Sequence, residues 1–581
     1  MTHPLRGTLY HETWRLLVWL ALPTLLAPTL SLAAPKFELS PEHLAAVRRE
    51  RRVVVNFDTG FGAPSVVERM GGLTKSQLIR AYFSMVDEPE VVIDSIWWCW
   101  IDGNVAPRPS RILPVWEHPA FKAWWDDGFD PVALFVNETR RRSKEVFYSY
   151  RLNGTDMGGR KPLSKPLLKE LHPEWLIKAP WEAYGNPGYW NFVFPEVREY
   201  KVRILREVAE NYDYDGFEID FSRGPISLPI GRQWENRDHM TEFMRMLRHM
   251  TQEIAKKRGR PFLVAARVPE NLAGCHFDGL DVETWAQEQL IDMFALGNRS
   301  FDVDVQSFRR ITAGTEIRLY PCIDDHHATD AYAHPPIEVF RGVFANWWQQ
   351  GADGIQTFNF DMALPDAAKL LGFKPRYWKT NLQAFREMGS PETLRYLDKT
   401  FILQRRGGGH GPSVVPNASS WRTPRAMYTL TNMFSPLPVQ LDNSGTIDTL
   451  LFSYVAENLA AAGERLRAVT IRVLLSDFAV ADLPAETRLQ TYHYPGARPN
   501  QPVLGRMYNI APQKGIERSI ELRLNNALLR TAAIEDGWLV FSTRPKQFAV
   551  GQNLLSLRVV GRDQEAKPLT VELVEIHVDY E

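Results

Sequence analysis

Between residues 50 and 390, short apolar runs alternate with longer amphipathic stretches. Eight runs read as strands from their β-branched and aromatic content: Val53–Phe57, Val92–Trp97, Val146–Arg151, Gly216–Phe221, Phe262–Arg267, Ile291–Leu296, Glu316–Pro321 and Gly354–Asn359. The segments between them carry a helical period. Val197, Ile204, Leu205 and Val208 form an apolar stripe ahead of the fourth run, with Pro195 near the helix start. Met240, Phe243, Leu247, Met250 and Ile254 follow that run, and Val339, Phe340, Val343, Phe344 and Trp347 precede the eighth. Strand and helix alternating eight times predict an α/β fold, a (β/α)8 TIM barrel. A doubly wound open sheet would usually place a glycine-rich phosphate turn after its first strand. Here Asp58-Thr59-Gly60-Phe61-Gly62 follows, which matches no dinucleotide fingerprint.

Past residue 400 the pattern changes. Arg405-Arg-Gly-Gly-Gly-His-Gly-Pro412 reads as a linker. From about residue 425 the chain turns to short alternating strands: Ala468–Leu474, Arg488–Tyr494, Ser519–Leu524, Trp538–Ser542, Leu554–Val560 and Leu569–Val578. This spacing predicts a C-terminal antiparallel β-sandwich, expected to buttress the barrel. At the other end, Arg6 and Arg15 supply positive charge ahead of an apolar run, Leu16–Leu32, which leads to the small-x-small site Ser31-Leu32-Ala33. Pro23, Pro28 and the short span favour a cleaved export signal over an anchor. The expected organisation is a signal peptide at 1–34, a barrel at 35–400, a linker at 401–424 and a sandwich at 425–581. The mature chain is expected to be periplasmic or extracellular, off the membrane once the signal is cleaved. Its oligomeric state is left open.

Composition narrows the partners. The 68 Lys and Arg against 69 Asp and Glu give a net charge of −1, without the basic surplus of a general nucleic-acid binder. Cys99, Cys275 and Cys322 form no disulfide framework and no CxxC metal spacing, and read as buried apolar residues. Of 18 tryptophans, Trp98, Trp100, Trp116, Trp124, Trp125, Trp175, Trp181 and Trp190 fall in the connections 98–131 and 152–195. In a barrel those connections form the C-terminal face, where active sites are built. Some of the rings are expected to stack on sugars, Trp98 and Trp100 foremost.

The chemistry concentrates in Tyr212-Asp-Tyr-Asp-Gly-Phe-Glu-Ile-Asp-Phe-Ser-Arg223. Phe217, Ile219 and Phe221 share one face; Gly216, Glu218 and Asp220 share the other. The apolar set must face the helices, so Glu218 and Asp220 point into the barrel, with Asp220 nearer the C-terminal mouth. Buried carboxylates are costly unless paired, and active sites commonly tolerate that cost. Glu218 also suits a buried network with an arginine such as Arg267 or Arg318. Other strand ends supply partners: Asn56 and Asp58 on the first, Arg267 and Glu270 on the fifth, and Asn298 after the sixth. Tyr320 and Asp324 share parity on the seventh, with His326 beyond, and Asn359 and Asp361 end the eighth. Such a convergence suits glycoside hydrolysis, in which two carboxyl groups flank the scissile bond. Asp220 is the candidate nucleophile, with Glu270 or Asp324 as acid/base and Arg223 or Arg267 orienting Asp220. Asp58, Trp98, Trp100, Glu218, Arg223, Arg267, Asn298, Tyr320, His326, Asn359 and Asp361 are candidates for holding carbohydrate.

The run YDYDGFEIDFSR, preceded by PEVREYKVRILREVAEN, resembles the bacterial family-10-like glycosyl hydrolases. Their fourth strand carries an Asp-Gly-φ-x-φ-Asp pattern, matched by Asp215, Gly216 and Asp220. The resemblance extends over about residues 50–390 and implies a hydrolase acting on a polysaccharide. The wider barrel superfamily that includes the α-amylases places an Asp nucleophile on strand 4 and a Glu acid/base on strand 5. Asp220 and Glu270 fit that order, with Asp324 as a strand-7 stabiliser, although the amylase arginine and histidine pattern on strand 4 is absent. His326, His327 and His334 lie among Asp324, Asp325 and Asp330, but the first strand reads Asn56-Phe57-Asp58 where a metal-dependent barrel hydrolase would show His-x-His. No metal or cofactor is therefore assigned. A non-catalytic glycan-binding barrel and a metal-dependent carbohydrate deacetylase are the competing readings.

Overall fold

The computed structural model describes residues 36–61, 63–153, 161–177, 188–297, 300–325, 332, 334–360, 362–375, 377–404, 435–476, 515–535 and 538–581. Eight parallel strands close a barrel: β1 (Val53–Asp58), β2 (Ser95–Cys99), β3 (Glu145–Arg151), β4 (Gly216–Asp220), β5 (Leu263–Val268), β6 (Met293–Leu296), β7 (Arg318–Ile323) and β8 (Ile355–Phe358). Each neighbour pairs with the next in sequence, and β8 returns to β1. The expected TIM barrel is the observed fold. The surrounding helices bury the stripes seen in the sequence. Helix Pro195–Asn211 covers Val197, Ile204, Leu205 and Val208, each worth about 1.5–3 kcal/mol on burial. That outweighs the few tenths of a kcal/mol by which β-branched residues lower helix propensity.

The barrel interior is layered. The floor is apolar: Val54, Trp97, Phe147, Leu263, Ala265, Met293, Ala295 and Tyr320 pack together. Trp97 stacks on Phe147 with centroids 5.0 Å apart. A Cβ at Gly216 would lie 2.7 Å from the Phe147 ring and 2.5 Å from the Leu263 carbonyl oxygen, so only glycine fits beside that stack. Beneath the floor, Arg51 holds Glu145 through two 2.6 Å contacts.

The N-terminal end carries one device four times. Asp94, Asp215, Asp292 and Asp353 each precede an even-numbered strand. Each donates its backbone N–H to a carbonyl of the preceding odd strand and accepts that same residue's N–H on its carboxylate. The partners are Val53, Val146, Val264 and Leu319, with carboxylate contacts of 3.2, 3.0, 2.7 and 2.8 Å. Arginines flank every one: Arg52; Arg140 and Arg260; Arg248; Arg309 and Arg318. The aspartates thus satisfy strand-end N–H groups that would otherwise lack partners.

Two antiparallel sheets follow the barrel. One runs β9 (Lys399–Leu403), β18 (Thr570–Tyr580), β12 (Leu466–Ser476), β16 (Trp538–Ser542) and β15 (Thr531–Glu535), with β10 (Val439–Gln440) on β18. The other runs β11 (Thr449–Val455), β17 (Gly551–Val559), β13 (Ile520–Leu524) and β14 (Ala527–Leu529). The first strand, β9, straddles the boundary expected at residue 400 and packs on helix Ile337–Gln349. A Cβ at Gly342 of that helix would lie 2.2 Å from the Thr400 carbonyl oxygen, so the missing side chain permits the approach. The expected strand at Arg488–Tyr494, most of the linker and the signal segment lie outside the described residues.

Candidate active site

The mouth of the barrel is built on the ends of β1, β3, β4 and β5 and on the turns beyond them. Asp220 ends β4, in register with Arg151 on β3 and Arg267 on β5. Two guanidinium groups therefore stand on the neighbouring strands. Asp220 Oδ1 accepts the backbone N–H groups of Ser222 at 2.9 Å and Arg223 at 3.0 Å. Its Oδ2 accepts no hydrogen bond among the described residues. The turn after β4 thus fixes the buried carboxylate by one oxygen.

A second cluster sits on β1. Asp58 Oδ2 accepts from Arg151 and, at 2.8 Å, from the Asn359 amide, whose own oxygen takes the Asp58 backbone N–H at 2.8 Å. Asn359 holds this position with a left-handed φ of 55°, a conformation that asparagine tolerates better than most residues. Burial alone would raise the Asp58 carboxyl; Arg151, Arg223 and the Asn359 amide overcome it and hold it at about 2. Arg151 thereby links Asp58 to Asp220. Arg151 was not among the sequence candidates, although the alternation Phe147, Ser149, Arg151 carries it inward at the end of β3.

Glu218 and Arg267, expected at the substrate, form a closed pair one layer below. Arg267 reaches Glu218 at 2.7 Å, Asn56 donates to its other oxygen, and Gln356 lies at 3.4 Å. Burial and then the nearby Asp220 push the Glu218 carboxyl up, against the pull of Arg267. Arg267 also lies over the Phe358 ring, 4.7 Å from its centroid. Asp324 follows β7 and is buried, sharing an electrostatic neighbourhood with Cys322, Glu218, Arg267 and Asp220. Glu270 is buried just past β5, where a Cβ on Gly297 would lie 3.4 Å from its own Cβ. Its carbonyl accepts the Asp304 N–H at 3.0 Å.

Three expectations change with the structure. Tyr320 has the inward parity expected of it but lies on the barrel floor, near Arg51 and far below the mouth. Trp98 faces outward from β2, is fully buried, and donates to Thr139 at 3.0 Å. Trp100 is equally buried and donates to the Tyr214 hydroxyl at 3.0 Å. Neither ring is open to a sugar. Trp116 and Trp190 are likewise buried, the latter bonded to Asn104 at 2.6 Å. Long loops need cores of their own, and these rings supply them. Asn298, His326, Asp361 and Trp181 lie outside the described residues. Among the described residues, no group of three His, Cys, Asp or Glu side chains is placed to hold a metal ion.

Residues 84–259 match the glycosyl hydrolase-like 10 family. The matched stretch runs through β2, β3 and β4 and includes Arg151, Asp215 and Asp220. Glycosyl hydrolase YngK of Bacillus subtilis is 35% identical over 117 residues, covering 19% of this chain and 21% of that protein. Glycosyl hydrolase DigH of Escherichia coli K12 is 28% identical over 129 residues, covering 20% and 28%. The alignments therefore span between a fifth and a third of these curated relatives. Among solved structures, an α-amylase from Geobacillus thermoleovorans gives a TM-score of 0.37 at 13% identity over 88% of this chain and 98% of that one. A glycoside hydrolase family 18 N-acetylglucosaminidase from Paenibacillus barengoltzii gives 0.33 at 8% identity, over 58% and 99%.

Proposed function

We propose that this chain is an exported glycoside hydrolase that cleaves a polysaccharide or oligosaccharide with two carboxyl groups, Asp220 acting as the nucleophile. One observation carries the reading. Asp220 ends β4 between two in-register arginines, one oxygen tied to backbone N–H groups and the other accepting no hydrogen bond among the described residues. A nucleophilic carboxylate needs that asymmetry: a fixed orientation and one free oxygen aimed at the anomeric carbon. Glu270, one strand away, is the acid/base, protonating the leaving oxygen as the glycosyl–Asp220 bond forms, then taking a proton from the water that releases the sugar. Asp324 is the third carboxylate and steadies the positive charge that develops on the sugar ring. Arg151 positions Asp58, and the two together frame the side of the site nearest β1. The match to glycosyl hydrolase-like 10 over residues 84–259 supports this reading.

The test is reducing-end release from a panel of soluble polysaccharides by wild type and by Asp220→Asn. Cleavage by wild type that is lost in the variant, with binding retained, supports the assignment. Wild type that binds a glycan and cleaves none would make the barrel a binding module. Activity that disappears with chelator and returns with a divalent ion would move the protein to the deacetylases.

A further inference from the structure

A groove of about 670 Å³ runs between barrel helix Val305–Ile311 and the four-stranded sheet, within the ~300–1,000 Å³ range of ligand pockets. Asp302, Gln306 and Gln350 line it from the barrel side, and Tyr454 and Gln552 from the sheet. Its walls are fixed to one another. Tyr454 donates to Gln349, its hydroxyl accepts from Gln306 at 3.1 Å, and its carbonyl accepts from Asn346 at 3.1 Å. Tyr454 and Gln552 are cross-strand partners. The side chains of Asp302, Gln350 and Gln552 make no hydrogen bond among the described residues. On the same face of β11 as Tyr454, Phe452 is 57% exposed.

We propose that this groove is a second carbohydrate site, taking a neutral, hydroxyl-rich glycan chain that extends from the barrel mouth. This rests on the glycosidase reading above. Two amides, the Asp302 carboxylate and the Arg310 guanidinium, which donates only to Ser307 Oγ among the described residues, remain to donate to and accept from hydroxyls, and the lining's two aspartates and two arginines balance in charge. The guanidinium of Arg309 is already committed to Asp353 at 2.6 Å. The exposed Phe452 ring offers a flat apolar surface to a pyranose. The loop bearing Asp302 is tied to the end of β5 by the hydrogen bond from Asp304 N–H to Glu270 O, so the groove begins beside the candidate acid/base. The accessory sheet is then a wall of the substrate path as well as a support.

The test uses the full chain and soluble oligosaccharide ladders, two to about eight sugars long, from chitin, cellulose, starch and xylan. Wild type is expected to bind the longer members of the ladder it cleaves about tenfold more tightly than the shortest, as two or three added hydrogen bonds allow. Gln350→Ala with Gln552→Ala is expected to erase that gain while leaving kcat on the shortest cleaved member and the melting temperature unchanged. Phe452→Ala, at an exposed position, is expected to reduce the gain in the same direction. Cleavage with no dependence on length, or a gain that survives the double variant, would overturn the groove and leave the catalytic reading intact. A wild type that cleaves none of the ladders and no polysaccharide overturns both.

Discussion

At the N-terminal end of the barrel, Asp94, Asp215, Asp292 and Asp353 make one contact four times. At the C-terminal end, Asp58, Asp220, Glu270 and Asp324 each sit in a different setting. The first set repeats at every second strand, and each carboxylate is matched to a strand N–H and to arginine. Repetition of this kind serves closure of the barrel: any strand pair presents the same unsatisfied N–H, so the same residue solves it. The mouth does not repeat, as the proposed binding of a glycan without fourfold symmetry would require. Asp58 is paired with Arg151 and Asn359, whereas Asp220 is held by the turn beyond its own strand and its Oδ2 accepts no hydrogen bond among the described residues. The two ends thus differ in pattern: one contact repeated at every second strand, against carboxylates held one by one.

The sharpest break between the two sets is expected at Asp220. Asp220→Asn should lower kcat on a cleaved glycan by about 10⁴-fold and leave the melting temperature within ~2 °C, because the amide oxygen can still accept from the Ser222 and Arg223 N–H groups. Steady-state kinetics beside a thermal melt reads both. A variant that melts early and keeps its kcat would place Asp220 with the structural set.

Asp292→Ala should do the reverse. Asp292 is fully buried, takes both Arg248 nitrogens at 3.0 Å and His43 at 2.8 Å, and accepts the Val264 N–H. Its removal strands a buried guanidinium and a strand N–H, a loss of about 3–5 kcal/mol. Urea denaturation should give a much lower midpoint, while the folded fraction keeps wild-type kcat. A drop in kcat with an unmoved midpoint would contradict the division.

Most of the barrel was legible in the sequence because a strand buried on both faces must be short, apolar and bounded, and eight such runs with helical stripes between them admit few folds. Alternation then placed Glu218 and Asp220 inside. What it could not supply was height along the barrel. Tyr320 and Asp324 share parity, but one lies on the floor and the other beyond the strand end. Nor could counts supply direction: Trp97 points into the barrel and Trp98 out of it, so a wealth of tryptophan in two loops said nothing about which rings meet solvent. The aspartate clamps were illegible because each contact joins residues 28 to 69 positions apart. Arg151 was overlooked because its meaning depends on its neighbours across β3, β4 and β1.

Acid should expose the mouth cluster with a smaller effect. Asp58, held at about 2, lies below the ~3.9 of an unfolded aspartate. A depressed carboxyl contributes stability that is fully present above the unfolded value and is lost as pH falls from about 4 towards about 2. The contribution is about 2 kcal/mol. Urea midpoints measured from pH 6 down to pH 2 should fall less steeply in Asp58→Asn than in wild type, with the curves converging at the acid end. Parallel curves would mean that Arg151 does not hold the charge of Asp58.

The smallest effect is expected at Asp215, and it tests the comparison most closely, because Asp215 and Asp220 belong to the same short motif on the same strand. Asp215 sits at the start of β4, accepts the Val146 N–H at 3.0 Å, and is flanked by Arg140 and Arg260, which are about one-third exposed. Solvent screens those pairs, and an amide at the same position can still accept the strand N–H. Asp215→Asn should therefore cost only about 1 kcal/mol, with kcat unchanged. The motif would then hold two unrelated jobs five residues apart: an Asp-Gly start that pins β4 to β3 and makes room for Phe147, and an Asp end that faces the substrate. If Asp215→Asn instead abolished turnover at an unchanged midpoint, hydrogen-bond pattern would not distinguish the carboxylates that close this barrel from those proposed to do chemistry, and Asp220 would not stand apart from Asp215.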